Sequence, residues 1–527
     1  MANKRKGRLE LDWVDKGDII ITKFDDNGKS YPASYFHGQV SDEELMPREL
    51  ELVKSVGDPD SENMLIQGEN LIVMRSLERE FAGRIKLIYI DPPFNTGQDF
   101  EDYEDGLEHS IWLTMMKTRL EILNKLLSND GAIVIHIDYR EESRLKLLMD
   151  EIFTGGFRNS IVVKRGTKNV QQQFDTIDSL ASGHDTLLLY TAYSDTRFPH
   201  CRSALVKVQE GTWNNHWRGT DRPTMRYKLF GIKPKTGQWR WSEERTMQAI
   251  RNYEEYIKKD SDTMSIDEYY SMCLTEDGIK LDFVRLSKTG KPEHYVPPRS
   301  FRIVSDVWMD VRTSGKLTEL VHEKHEDLLF RVINWLTSPG DWVLDSFLGS
   351  GTTAAVAHKL NRKWIGIELG EHAKKLCIPR LRRVVSGEDK TGISKQVGWK
   401  GGGGFKFYKL GEPLIIKHKD YPSIKIINPK YYNTSLIKVI CKLEGFKFRK
   451  DDKIFHGVNK LGNKYAHITE QYVSQGYIDL LQSKLTDNEE LIVYCFNYDD
   501  KIALPQNILI KKLPDDLGKP YQLRLRI

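Results

Sequence analysis

Residues 85–94 read Ile-Lys-Leu-Ile-Tyr-Ile-Asp-Pro-Pro-Phe. The first six form an apolar, β-branched run bounded by a turn signal, which predicts a buried strand. Asp91-Pro92-Pro93-Phe94 then occupies the loop at that strand's C-terminal end. In open α/β sheets this edge is where ligands bind. Two consecutive prolines fix φ and stiffen the loop. A stiff loop holds a carboxylate and a bare backbone carbonyl at set positions, with an aromatic ring beside them.

That set suits holding the exocyclic amino group of a flat heterocycle. The amino nitrogen of adenine is a poor nucleophile, because its lone pair is delocalised into the ring. The Asp91 carboxylate and the Pro92 carbonyl can each accept one N–H. Two such bonds turn the lone pair towards an electrophile, and Phe94 offers a face for stacking. Asp-Pro-Pro is also an ordinary turn after a strand, so the stretch does not decide between the two alone.

Outward from this loop the chain alternates strands and helices. Upstream, residues 1–60 read as a polar, irregular arm ending at the turn Gly57-Asp58-Pro59-Asp60. Met64-Leu65-Ile66 is a short strand, followed by a helix to about Phe81. Downstream, residues 109–128 read as a helix with Trp112, Met116, Leu120, Leu123 and Leu127 on one seam. A strand at 131–137, a helix at 140–153 and strands at 160–163 and 186–190 follow. This order predicts an α/β, doubly wound, mostly parallel sheet.

The pattern changes between 192 and 300. From Arg197 to Arg240 there are ten Lys or Arg against two acids, Glu210 and Asp221. Phe198, Trp213, Trp217, Tyr227, Phe230 and Trp239 are interleaved with them. Basic residues with aromatics between them suit phosphate contacts and base stacking. A solvated basic face over an aromatic core is the bland alternative. The candidate DNA contacts are Arg218, Arg222, Arg226, Lys228, Lys233, Lys235 and Arg240. Residues 252–282 are acidic and are expected to face away from DNA.

The α/β pattern returns near 318. A helix marked by Leu320, Leu328, Leu329, Val332, Ile333 and Leu336 stops at Ser338-Pro339-Gly340. The strand Trp342-Val343-Leu344-Asp345 runs into Ser346-Phe347-Leu348-Gly349-Ser350-Gly351-Thr352-Thr353, then a helix, then a strand ending at Glu368. Gly349 and Gly351 let the backbone approach a ligand at a helix N-terminus. Glu368 can accept hydrogen bonds from ribose hydroxyls. The absence of G-x-G-x-x-G disfavours a dinucleotide pyrophosphate. The four-glycine run at 401–404 reads as a linker or as a turn into a strand beginning at Phe405. Residues 411–527 read as a small α+β interaction domain.

Length and composition bound the rest. A chain of 527 residues suggests three or four domains. Hydrophobic residues at 39% and charged residues at 29% are a globular balance. A net charge of +4 confines any nucleic-acid surface to a local patch. Five well-separated cysteines with no C-x-x-C argue against a disulfide framework or zinc site and for a reducing compartment. The basic residues Lys4, Arg5, Lys6 and Arg8 are followed by no apolar run of a signal, and no run approaches membrane length. The expected location is the cytoplasm.

Taken together, the DPPF motif at 91–94, the FLGSG motif at 347–351 and the basic insert between them resemble the β-class S-adenosylmethionine-dependent DNA amino-methyltransferases. The stretches DPPFNTG at 91–97, LIQGENL at 65–71 and SGHDTLLLY at 182–190 look like the modification subunit of type III restriction systems. The resemblance covers about residues 60–410 well. It implies a Rossmann-like sheet with permuted motif order. It divides the chain into an arm (1–60), a catalytic half (61–191), a target-recognition domain (192–300), a cofactor half (301–410) and a C-terminal domain (411–527). Asp91, Pro92, Pro93 and Phe94 take the catalytic roles. Asp345, Phe347, Gly349, Ser350, Gly351, Thr352 and Glu368 take the S-adenosylmethionine site, with Glu69 and Lys324 as outlying members. The implied reaction is N6 methylation of an adenine flipped out of double-stranded DNA. Cytosine N4 methylation and a non-methylating recognition subunit are the rivals. No metal is implied, and there is room for a homodimer and for a restriction (nuclease/translocase) partner. Two departures stand out: Phe94 replaces the commoner Tyr, and His325 follows Lys324 where Lys-Pro is usual. His136 and Asp138 read as structural.

Overall fold

Residues 85–90 form a strand whose side chains are almost all buried, and nine further strands assemble around it. The structure is a computed structural model. It describes residues 11–517 except 27, 95–107, 166–179, 181, 277, 312–323, 422, 433, 450, 451, 453 and 487. Lys4, Arg5, Lys6, Arg8, Asn95, Thr96, Gly97 and Leu320, named above, lie outside the described residues.

The strands of this sheet are β1 (Leu50–Gly57), β2 (Met64–Gln67), β3 (Ile85–Ile90), β4 (Leu127–Ile137), β5 (Phe157–Lys164), β6 (His184–Thr191), β7 (Val307–Trp308), β8 (Trp342–Asp345), β9 (Lys363–Glu368) and β10 (Gly404–Leu410). Their spatial order is β7-β5-β6-β4-β3-β8-β9-β2-β10-β1. Six of the nine pairings are parallel; the three antiparallel ones involve β6 on both sides and the edge strand β1. The helices are α1 (Asn70–Phe81), α2 (His109–Leu126), α3 (Tyr139–Ile152), α4 (Glu326–Leu336), α5 (Thr352–Lys359) and α6 (Ile378–Ser386). α1 packs on α2 and α2 on α3, while α4 packs on α5 and α5 on α6. After β3 the chain moves through α2 to β4, and after β8 it moves through α5 to β9, away from β3. Right-handed crossovers in opposite directions put α2 and α5 on opposite faces. The sheet is therefore doubly wound, and its order reverses between β3 and β8.

Two elements differ from expectation. β1 belongs to the sheet although the stretch reads as part of a polar arm. Only Leu50 of it is buried, because β1 lies on the edge, antiparallel to β10. β4 begins at Leu127, four residues before the expected strand, so Leu127 pairs with Ile85 instead of closing the α2 seam.

Beyond β10, Lys447–Phe448, Gly457–Val458, Lys464–Thr469, Glu490–Cys495 and Ile508–Lys512 form a separate five-stranded sheet in that order. The helix Thr434–Leu443 packs on it through Leu436, Val439 and Ile440.

The chain divides into two compact units, one of Met1–Pro199 with Asp306–Ile527, the other of His200–Ser305. The second unit pairs Arg202–Gln209 with Arg299–Ile303 and carries a three-stranded sheet and a two-stranded ribbon, Trp217–Arg218 with Gln238–Trp239. Its core is aromatic, built on Tyr256, Tyr269, Tyr270, Phe283 and Tyr295. All five cysteines are buried and none is in a disulfide. Among the described residues no helix is long and apolar enough to cross a membrane.

Candidate active site

β3 and β8 are adjacent and parallel, with Leu87 opposite Val343 and Ile88 opposite Leu344. Their C-terminal ends therefore lie side by side, separated by about one strand spacing of ~4.8 Å. Asp91 leaves one end and Asp345 closes the other. The two motifs, far apart in the chain, meet at the reversal point of the sheet, where α/β folds open a crevice.

The Asp91 carboxylate has two unlike oxygens. Oδ2 lies 3.0 Å from Lys324 Nζ. Oδ1 is buried and has no hydrogen-bond partner among the described residues. An unmet buried acceptor costs about 1–3 kcal/mol, so Oδ1 is a strong place to receive a donor. The Pro93 carbonyl accepts a 2.8 Å bond from Trp112 Nε1, which ties the loop to α2. Phe94 is half-buried, with the His136 ring 5.6 Å from it at 48° and Lys324 Nζ 4.6 Å from its centroid.

His136 is fully enclosed. Its Nδ1 lies 3.2 Å from the Tyr89 hydroxyl and its Nε2 lies 3.2 Å from Asp185 Oδ2. Burial, with the Lys324 charge adding, holds the imidazole below its ordinary range, so the ring is neutral near pH 7. These partners fit a ring that donates from Nε2 to Asp185 and accepts at Nδ1. His136 thus backs Phe94. Asp138 caps α3 through a 2.9 Å bond from the Arg140 amide.

The glycine loop is closed on itself. Asp345 Oδ1 accepts from the Phe347 amide at 2.9 Å and Oδ2 from the Thr353 hydroxyl at 2.6 Å. Burial pushes the Asp345 carboxyl up to about 7, with the Asp91 and Glu368 charges adding and its hydrogen bonds opposing. Glu368 Oε2 accepts the Gly349 amide at 2.6 Å, and Oε1 the Leu369 amide at 3.1 Å. Gly349 and Gly351 have φ of 56° and 82°, the left-handed region that favours glycine, and Gly351 is the N-cap of α5. A π-helical turn, Ala373–Cys377, brings the Cys377 thiol to the Gly349 carbonyl at 3.1 Å. Arg380 donates to Thr352 Oγ1 and to Glu326 Oε1, both at 2.9 Å. Ser350 Oγ lies 3.0 Å from Thr352 Oγ1. The Ser346 hydroxyl is buried and without a partner among the described residues.

Glu69 caps α1 by accepting from the Ile72 amide at 3.1 Å and forms an ion pair with the buried Arg119. Arg119 Nε also donates to Asn70 Oδ1 at 2.7 Å, and Asn70 Nδ2 donates to the Ser346 carbonyl at 3.0 Å. Glu69 therefore sits behind the glycine loop as part of a brace between α1 and α2. His325 stands where the resemblance implies a proline. It caps α4, its Nδ1 accepting from the Asp327 amide at 3.1 Å. The Lys324 side chain reaches the Asp91 loop, while its carbonyl meets Thr352 Oγ1 at 3.4 Å. Sequence reasoning missed Asn70, Arg119, Thr353, Cys377 and Arg380. Only Arg119 carried a local signal, a cation inside the apolar α2 seam.

In the second unit Arg218, Arg222, Lys228, Lys233 and Lys235 are exposed. Arg226 is engaged, its Nε donating to the Gly237 carbonyl at 2.8 Å and its Nη2 paired with Asp221. Arg240 is half-buried, and burial together with the neighbouring Arg218 charge lowers its pKa. Of the interleaved aromatics, Tyr227 and Trp239 are core residues, whereas Trp217 and Phe230 are 41% and 38% exposed.

Residues 85–378 match the family model of N6/N4 DNA methylases, described as DNA methylase. A probable type III restriction-modification enzyme HindVI Mod subunit from Haemophilus influenzae is 29% identical over 85% of this chain and 67% of that one. The type III restriction-modification enzyme EcoP15I Mod subunit from Escherichia coli is 26% identical over 60% of each chain. The StyLTI Mod subunit of Salmonella typhimurium is 34% identical, over 58% of this chain and 51% of its own.

Proposed function

Because the chain belongs to the N6/N4 DNA methylase family, we propose that it methylates N6 of an adenine in double-stranded DNA, as the modification subunit of a type III restriction system. The observation that carries this reading is the unmet Asp91 Oδ1 beside Phe94, on the strand next to the glycine loop.

The family's cofactor, S-adenosylmethionine, supplies when bound a methyl group already activated on a sulfonium. The residues present fit it. Gly349 and Gly351 allow close backbone approach, and Asp345 and Glu368 hold the loop shape from beneath. Ser346, with its unmet hydroxyl, adds a polar atom at the same strand end. Phe347, Ser350 and Thr352 complete the loop.

On the base side, Asp91 Oδ1 accepts one amine N–H and the Pro92 carbonyl accepts the other. Phe94 stacks on the ring, supported from behind by His136. The amine gives up one proton as its nitrogen gains carbon, and Asp91, already bonded to it, is the acceptor at hand. Orientation of the amine supplies most of the chain's share of the rate. A base inside a duplex cannot reach such a pocket, so the adenine is extruded. Asp, where cytosine enzymes more usually have Ser, favours adenine over cytosine N4.

Residues 61–191 and 301–410 act as the methyltransferase and 192–300 as the target-recognition domain, with residues 411–527 for assembly. Its exposed cations, Arg218, Arg222, Lys228, Lys233 and Lys235, contact phosphates; Arg240 joins them, and Arg226 holds the fold of its loop. A restriction subunit and a second copy of the chain are the partners that follow from this role, and the cytoplasm is its place.

The test is methyl transfer from labelled S-adenosylmethionine by the purified full chain to genomic DNA, with nucleoside analysis and base-resolution mapping. N6-methyladenine at one recurrent sequence is expected. N4-methylcytosine overturns the base assignment. No transfer, with cofactor and DNA both bound, makes the chain a recognition subunit.

A further inference from the structure

Lys324 is unused by the chemistry above, yet it sits in the middle of the base side. Its ammonium is 3.0 Å from Asp91 Oδ2 and 4.6 Å from the centre of the Phe94 ring. The pair is largely enclosed, the Lys324 side chain 14% and the Asp91 side chain 23% exposed. An ammonium that donates to a carboxylate while resting on an aromatic face makes the two contacts an aminopurine would make there. The backbone of Lys324 is fixed next to the capped start of α4, where His325 holds the Asp327 amide. The four-carbon stem is the part free to swing.

We propose that Lys324 is a placeholder for the target base. In the free protein it keeps Asp91 and Phe94 in their receiving positions, and it withdraws when the extruded base arrives. A base with an exocyclic amine takes the Phe94 face from the ammonium and brings its own N–H to Oδ1 of the same carboxylate. Thymine has no exocyclic amine, so its arrival would displace the ammonium from the ring face and leave Oδ1 without an amine donor. Lys324 is then a specificity-determining residue: it sets the threshold that a flipped base must meet. This rests on the reading that Asp91 receives the amine.

The experiment uses duplexes carrying the mapped site with 2-aminopurine, adenine or thymine at the target position, and three proteins: wild type, Lys324→Met and Lys324→Arg. Fluorescence of 2-aminopurine reports extrusion, binding constants report discrimination, and cofactor affinity is measured separately. Lys324→Met is expected to raise the extruded fraction and to narrow the adenine-to-thymine binding ratio by about fivefold, the scale of a partly exposed ion pair. Cofactor affinity stays unchanged, and Lys324→Arg keeps the wild-type ratio. An extruded fraction that is unchanged or lower in Lys324→Met overturns the placeholder. So does a loss of cofactor affinity without a change in extrusion, which assigns Lys324 to the cofactor. A wild-type protein that transfers no methyl group sinks the methyltransferase reading itself, and that result is independent of either variant.

Discussion

The loop after β8 is tied at most of its residues, whereas the loop after β3 is held at two points and keeps a carboxylate oxygen in reserve. In the first, Asp345, Thr353, Phe347, Glu368, Gly349 and Cys377 bond to one another. In the second, Trp112 anchors the Pro93 carbonyl, Lys324 anchors one Asp91 oxygen, and the other oxygen is unmet among the described residues. Neighbouring strands thus end in a preformed cradle and in an incomplete one. A cradle for a ligand present in every cycle gains from being built in advance. A site for a base that must first be extracted from a duplex gains from groups satisfied only when the right base is in place.

The sharpest way to break this contrast is Asp91→Ala. Methyl transfer should fall by about 10³-fold, the scale for a lost transition-state contact, while cofactor affinity stays within a factor of about two. Single-turnover transfer and cofactor titration measure the two separately. A parallel loss of cofactor affinity would mean that the loops form one cradle.

Asp345 tests the other loop through pH. Its carboxyl is raised from 3.8 to about 7, chiefly by burial. The folded state then holds the proton more tightly than the unfolded chain does. This contribution is fully present below the unfolded value and is lost as pH rises towards 7. Asp345→Asn removes the titration. The stability of wild type relative to Asp345→Asn should decline between about pH 4 and 7, by an upper bound of about 4 kcal/mol. Denaturant melts of both proteins across that range give the difference directly. A flat difference would mean that Asp345 is charged and solvated in the folded protein.

Gly351→Ala sharpens the claim of preformation. A Cβ there would sit 3.5 Å from Cys377 Sγ, an ordinary contact, so the strain comes from φ of 82°. The expected loss is about 1–2 kcal/mol, seen as weaker cofactor binding and a lower Tm, with DNA affinity unaffected.

The two loops differed in how far the amino-acid order revealed them. β3, β8 and their motifs were legible because each is local: a short apolar run, a turn signal, then a loop. The brace behind them was not. Glu69, Asn70 and Arg119 meet only after α1 and α2 pack, and nothing near Glu69 in the chain announces a buried guanidinium. β1 was hidden for the opposite reason, since an edge strand buries little and leaves no apolar run to find. The π turn at Ala373–Cys377 has no pattern that separates it from ordinary helix. In the inserted unit, counting cations overstated the available charge, because Asp221 and the Gly237 carbonyl engage Arg226.

The smallest predicted effect concerns the anchor of the incomplete loop. Trp112 is a buried α2 residue whose indole N–H reaches the Pro93 carbonyl at 2.8 Å. Trp112→Phe keeps an aromatic ring and removes that donor. The Pro93 carbonyl then turns to water or goes unmet, at a cost of about 1 kcal/mol. If the Asp-Pro-Pro-Phe loop is positioned from outside, its aim should suffer and the glycine loop should not notice. Transfer should slow by roughly fivefold, the same free energy expressed as a rate, with cofactor affinity constant. A Trp112→Phe protein that loses cofactor affinity in step with rate would show α2 supporting both loops, through the same helix that carries Arg119. Arg119→Lys would then be the variant to separate them, because it alters the brace behind Ser346 and leaves the Pro93 anchor in place.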